Sequence, residues 1–171
     1  MDGTLAVIWL LTSLTDMGFN DCPTGCLREK AQTQRLSFSA ADVQFQDESI
    51  SEELYIGLDA NRSFGPFQPT MGGSVTNDGD LWFGAGAKWT SQQVFDVPLF
   101  VETSLMPGVY KSGDGPDIGG ALQFRSAFGV GYSFDSGATL TVLYDHRSNA
   151  DSQPLNPGLE TLSIRYAISL E

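Results

Sequence analysis

A strict period of two constrains this chain more than any other feature. Between Leu122 and Phe134, one series of alternate residues holds Leu122, Phe124, Ser126, Phe128, Val130, Tyr132 and Phe134; the other holds Gln123, Arg125, Ala127, Gly129, Gly131 and Ser133. Successive side chains of an extended strand point to opposite faces, so this stretch has one oily face and one small or polar face. The stretch Phe95 to Leu105 repeats the pattern, setting Phe95, Val97, Leu99, Val101 and Leu105 against Asp96, Glu102 and Ser104. Leu81 to Trp89 does the same, with Gly84, Gly86 and Lys88 on its second face. From about Leu36 onward the chain divides into eight such segments: Leu36 to Gln46, Glu52 to Asn61, Phe67 to Thr76, Leu81 to Trp89, Phe95 to Leu105, Leu122 to Phe134, Ala138 to Ser148 and Glu160 to Leu170. Turn-forming residues separate them, and no apolar helical stripe continues past position 35. The predicted class is all-β.

The composition of the two faces decides which all-β architecture fits. A soluble ligand-binding barrel fills its interior with large apolar side chains, whereas here the second face carries Gly, Ser, Arg, Glu and Lys. That face suits a crowded polar lumen, and the oily face must then meet lipid. An even number of roughly ten-residue alternating segments predicts an eight-stranded antiparallel outer-membrane β-barrel, in which closure pairs every backbone group. Loop lengths agree: the Pro107 to Asp117 and Asn149 to Leu159 stretches are long and belong outside, while Asp135 to Gly137 is a short periplasmic turn. Pro98 falls inside the fifth segment, where its missing N–H predicts a bulge. The chain closes on Leu170 and Glu171 rather than on an aromatic residue.

The 171 residues show no linker, so a single domain is predicted. Leu5 to Leu14 reads LAVIWLLTSL, too short to cross a bilayer as a helix and of the length of a secretory apolar core. The expected organisation is a signal peptide over residues 1–20, an N-terminal periplasmic segment over 21–35 and the barrel over 36–171. Asp2 stands where a basic residue is usual and no A-x-A cleavage site follows, so an ordinary apolar segment is the alternative. Cys22 and Cys26 suit a small disulfide loop, and with a single histidine far away in sequence no zinc site is expected. A formal charge of −12 argues against nucleic acid as a partner, because phosphate backbones require a cationic surface.

The histidine, His146, lies at the end of the seventh segment in Tyr144-Asp145-His146-Arg147-Ser148-Asn149-Ala150. His146 and Ser148 share a face with Leu140, Val142 and Tyr144, which is the oily face. Glu160 opens the eighth segment on the face of Leu162, Ile164, Tyr166 and Ile168. Nucleophile, base and orienting carboxylate thus meet at one end of one hairpin, on the outer wall. Placing His and Glu at the edge of a lipid surface is costly unless they pair; interface residues that bind headgroups are the plainer alternative.

With His146-Arg147-Ser148-Asn149-Ala150, then Asn156, then Glu160 twelve positions after the serine, the C-terminal 30 residues or so resemble the lipid A 3-O-deacylases (PagL) of Gram-negative outer membranes. The resemblance implies hydrolysis of the ester at the 3 position of the lipid A disaccharide in lipopolysaccharide, releasing a 3-hydroxyacyl chain without metal or organic cofactor. It implies that Ser148 attacks, His146 moves the proton and Glu160 orients His146. It also implies an oxyanion hole of backbone N–H groups around Asn149 and Ala150, with Asn156 contributing or else shaping the Pro154 to Gly158 turn. Phe128, Val130, Leu140, Val142 and Ile164 are candidates for an acyl-chain groove, or simply face bulk lipid. The partners expected are the lipopolysaccharide substrate and outer-membrane lipid, with a homodimer left open. Two other readings stay open: a non-catalytic small barrel, structural or adhesive, and a periplasmic lipid-binding barrel.

Overall fold

The computed structural model describes residues 3–170; Met1 and Asp2 of the expected leader and Glu171 of the expected barrel lie outside the described residues. The chain begins with helix α1 (Thr4–Asp16), which continues into a π-helical turn, Met17–Asp21. Ten strands follow: β1 (Glu29–Ala31), β2 (Gln34–Phe45), β3 (Glu48–Asp59), β4 (Arg62–Phe64), β5 (Gln68–Thr76), β6 (Leu81–Thr90), β7 (Leu99–Lys111), β8 (Leu122–Ser133), β9 (Thr139–Ser148) and β10 (Leu159–Leu170). The eight long strands close into one antiparallel barrel in the order β10-β2-β3-β5-β6-β7-β8-β9. β1 and β4 form a separate two-stranded ribbon that the alternation does not reveal, since three residues are too few to show a period.

The eight segments correspond to the eight barrel strands, with shifts at their ends. Gln46 and Asp47 have φ of 53° and 67°, a two-residue hairpin turn, so β3 starts earlier than the pattern suggests. The bulge expected at Pro98 does not form. Phe95 to Pro98 are not strand, β7 starts one residue after the proline, and the Pro98 carbonyl accepts the Ser133 N–H at 2.8 Å. Pro107, read as the start of a loop, lies inside β7, where the pairing with β6 lapses between Leu105 and Gly108. A residue without an N–H is tolerated where the ladder is already interrupted.

The lumen is polar and filled. Arg125 lies 2.8 Å from Glu53 and 2.7 Å from Asp145, Arg147 lies 2.7 Å from Glu53, and Arg165 lies 3.0 Å from Glu102. Lys88 pairs with Asp59. Tyr55 and Trp82 pack against the Arg125 guanidinium at 5.1 and 5.3 Å from their ring centres. Charges taken out of water persist only when paired in this way. The crowding also sets residue size: a Cβ on Gly72 would stand 2.0 Å from the Tyr55 hydroxyl. On the outer wall Leu54, Ile56, Phe83, Val109 and Leu162 are exposed, as the alternation predicts for a surface that meets lipid.

The long connections at 112–121 and 149–158 lie at one end of the barrel and the 134–138 turn at the other, as the loop lengths indicated. Cys22 and Cys26 form a disulfide just after the helical segment. α1 itself packs against β6, β7 and β8.

Candidate active site

β9 and β10 pair with His146 directly opposite Glu160. Leu140, Val142 and Tyr144 on β9, and Leu162, Ile164 and Tyr166 on β10, are exposed on the outer wall. Continuing each series brings His146, Ser148 and Glu160 to the same face. Their inward-pointing neighbours hold the hairpin from behind. Arg147 reaches Glu53, and Asp145 accepts from Arg125 at 2.7 Å and from the Thr161 hydroxyl at 2.5 Å. The lumenal ion pairs therefore fix the backbone that carries the outward side chains.

His146 Nδ1 lies 3.0 Å from Glu160 Oε1. A carboxylate at Nδ1 favours the tautomer with the proton on that nitrogen and leaves a lone pair on Nε2. Although it faces outward, His146 is only 3% exposed. Gly158 lies against the ring: a Cβ there would come within 2.7 Å of Cε1, and φ at this residue is +79°. Among the described residues His146 Nε2 has no hydrogen-bond partner, and half-buried Ser148 stands two residues along the same face. The carboxylate–imidazole bond is thus formed, while the serine–imidazole bond is open in this structure.

Two neighbours escaped the sequence reading. Gly158 left no signal, because a glycine in a loop is ordinary. Ser126 did leave one, as the single polar residue in the oily series of β8. It is the register partner of His146 and donates to the His146 carbonyl at 3.4 Å.

The three residues read as an oxyanion hole, Asn149, Ala150 and Asn156, lie in the connection between β9 and β10. Asn149 is fully buried; its N–H donates to Asn156 Oδ1 at 3.0 Å, and its amide donates to the Gly119 and Leu155 carbonyls at 2.8 and 2.6 Å. Asn156 in turn donates to Asp151 at 2.8 Å. Asn149 and Asn156 therefore join the two long loops and shape the turn. Ala150 is exposed at φ 53°. Of the five groove candidates, Val130, Val142 and Ile164 lie side by side in one row of the sheet, Leu140 is exposed one rung away, and Phe128 is half-buried. A hollow of about 910 Å³ in the outer wall opens where Ala40 and Gly73 carry little side chain, and of the five Ile164 lines it.

Pairing across the sheet sets the height of this hairpin end. Ile164 is level with Ala40 and Leu54; one rung higher, Leu162 is level with Asp42 and Glu52; the next rung is Glu160 with Gln44. The outer wall turns from apolar to polar at these rungs, and His146 and Glu160 sit just above the change. A reactive group here would meet the part of a lipid where acyl chains join the headgroup.

The model of the lipid A 3-O-deacylase (PagL) family matches residues 49–169, a span that includes all of β9 and nearly all of β10. In fold, the chain is similar to the crystal structure of the outer membrane enzyme PagL (TM-score 0.66, 19% identity, covering 80% of this chain and 99% of that one). It is also similar to Neisserial surface protein A (TM-score 0.56, 10% identity, 84% and 99% covered) and to a de novo designed transmembrane β-barrel (TM-score 0.54, 13% identity, 82% and 98% covered). At these identities the likenesses show the fold. No curated protein sequence matches. The family model spans most of the chain on the same strands that carry the outward His, Ser and Glu: the chain belongs to the lipid A 3-O-deacylase (PagL) family and is an eight-stranded barrel of the outer membrane.

Proposed function

We propose that the protein hydrolyses the ester-linked 3-hydroxyacyl chain at the 3 position of lipid A, with Ser148, His146 and Glu160 as its triad on the outer face of the barrel. The observation that carries this reading is the His146 to Glu160 bond of 3.0 Å, with Nε2 unpartnered and Ser148 two residues along the same strand face, at the apolar-to-polar rung. Ser148 Oγ attacks the ester carbonyl as its proton passes to His146 Nε2; the bond to the sugar oxygen then breaks, and that oxygen takes the proton from His146. Water repeats the sequence on the acyl-serine and releases a free 3-hydroxy fatty acid. Glu160 holds the imidazole in its tautomer throughout.

The oxyanion is assigned first to the Ala150 N–H, which takes no part in the loop hydrogen bonds described above. The Asn149 N–H is committed to Asn156, so Asn156 is a positioning residue that fixes the turn. The leaving chain runs down the row of Val130, Val142 and Ile164. The test is mass spectrometry of lipid A incubated with the purified, refolded protein. Loss of one 3-hydroxyacyl group by the wild type, and none by folded Ser148→Ala, is the expected result. Intact lipid A from both would make this a non-catalytic barrel.

A further inference from the structure

Helix α1 lies on the outside of the barrel. Trp89 belongs to the outward series of β6 with exposed Leu81 and Phe83, and Thr103 to that of β7 with exposed Leu99 and Val109. Yet Trp89 is 7% exposed and Thr103 only 1%. α1 covers them. The Thr12 and Thr103 hydroxyls are 3.1 Å apart, Trp89 Nε1 donates to Asp16 Oδ2 at 2.7 Å, and the Trp9 ring packs against Phe67 tilted by 50°, 5.6 Å between centres. A hydroxyl and an indole N–H on a lipid-facing wall need partners, because the hydrocarbon offers none. Here the helix supplies them.

The other side of α1 is apolar as well. Val7, Leu10, Leu11 and Leu14 are exposed, and Phe19 in the turn that follows is 80% exposed. From Thr4 to Thr15 there is no charged residue. Thirteen residues rise about 20 Å, short of the roughly 30 Å hydrocarbon core, and no helix of the described residues is long and apolar enough to cross a membrane. The C-terminal end of the helical segment is tied down where Asp21 pairs with Lys30 and the Gly65 N–H donates to the Arg28 carbonyl. The family match starts at residue 49, so this element stands outside it.

We infer that α1 is a lipid-contacting part of the folded enzyme, docked on the membrane-facing wall of β6 to β8, with its outer stripe in the acyl chains of the bilayer. The stripe continues the oily wall on either side of it, and this continuity identifies the partner as hydrocarbon. The segment expected to be removed as a signal peptide is, on this reading, retained through Asp21. The inference rests on the barrel being in a membrane and is independent of the triad.

Three measurements on the full chain, purified from outer membranes, test it. The intact mass of the wild type should include residues 4–21; a chain that begins after Asp21 overturns the inference. The double variant Thr12→Cys/Thr103→Cys should close a second disulfide, seen by non-reducing peptide mapping beside that of Cys22 and Cys26. Free thiols at 12 and 103 in a folded barrel overturn the docking. Leu11→Cys labelled with bimane should lose most of its emission in phosphatidylcholine vesicles with brominated acyl chains, compared with unbrominated ones. Equal emission in the two overturns the hydrocarbon contact. Deacylation assayed on the same samples reports on the triad separately.

Discussion

Outward-facing polar side chains are buried in two places on this barrel, and the two are built differently. On β6 and β7, Trp89 and Thr103 face the membrane under α1, and each of their polar atoms has a partner: Asp16 for the indole, Thr12 for the hydroxyl. On β9 and β10, His146 is just as buried, but only one of its ring nitrogens is engaged and Nε2 is left without a hydrogen bond. At the first site the outward groups of the strands are engaged and do structural work. The second has an unspent acceptor on the strand face that also carries a serine, an arrangement that costs free energy in a low-dielectric setting and fits a site that transfers protons. What separates the two is whether the outward side chain on the strand has each of its polar atoms engaged: Trp89 and Thr103 do, and His146 does not.

The contrast is broken most directly at the open nitrogen. His146→Asn removes the base and should lower deacylation on the order of 10³-fold or more while the barrel still folds; Glu160→Ala, which removes only the orienting group, should cost less. Turnover by mass spectrometry and the heat-modifiable gel shift of the folded barrel read the two effects separately. A His146→Asn rate near that of the wild type would move the chemistry elsewhere.

Next in size is the support behind the hairpin. Glu53→Ala leaves the Arg125 and Arg147 guanidinium groups without their shared carboxylate and should destabilise the barrel by about 3–5 kcal/mol. Urea unfolding in detergent measures this, and an unchanged midpoint would show that Asp145 alone suffices. A smaller effect is expected at Gly158→Ala. The added methyl would stand 2.7 Å from His146 Cε1 on a residue at φ +79°, and pushing the ring aside should lower kcat/KM on the order of 10²-fold with stability little changed.

The least effect belongs to the first site. Asp16→Ala strands the Trp89 N–H and should cost about 1–3 kcal/mol in thermal unfolding, with the deacylation rate of the folded protein unchanged. A loss of rate equal to that of Gly158→Ala would show that the two regions are coupled rather than independent.

Most of the barrel could be read from residue order because strand parity is local. Which face Arg125 or Phe128 occupies depends only on its neighbours in the chain, and a one-residue slip would reverse every side chain at once. The outward placement of His146, Ser148 and Glu160 follows from the same rule, and so does the polarity of the lumen. Strand ends were less secure at Pro98 and Pro107. A proline breaks a ladder only where its missing N–H would have been used, and that depends on the partner strand.

Sequence by itself thus determined the strand count, the two faces of the wall and the hairpin that carries the three outward groups. Tertiary structure decided what covers each outward polar atom. Asn149 and Asn156 hold two loops together, Gly158 lies against the imidazole, and α1 packs on β6 to β8. Each of these depends on partners from 5 to 91 residues apart along the chain, or on a loop folding back over a strand. Local alternation carries no information about such distant pairings, whereas the packed molecule cannot avoid choosing them, since a buried polar group must find a partner or stay costly.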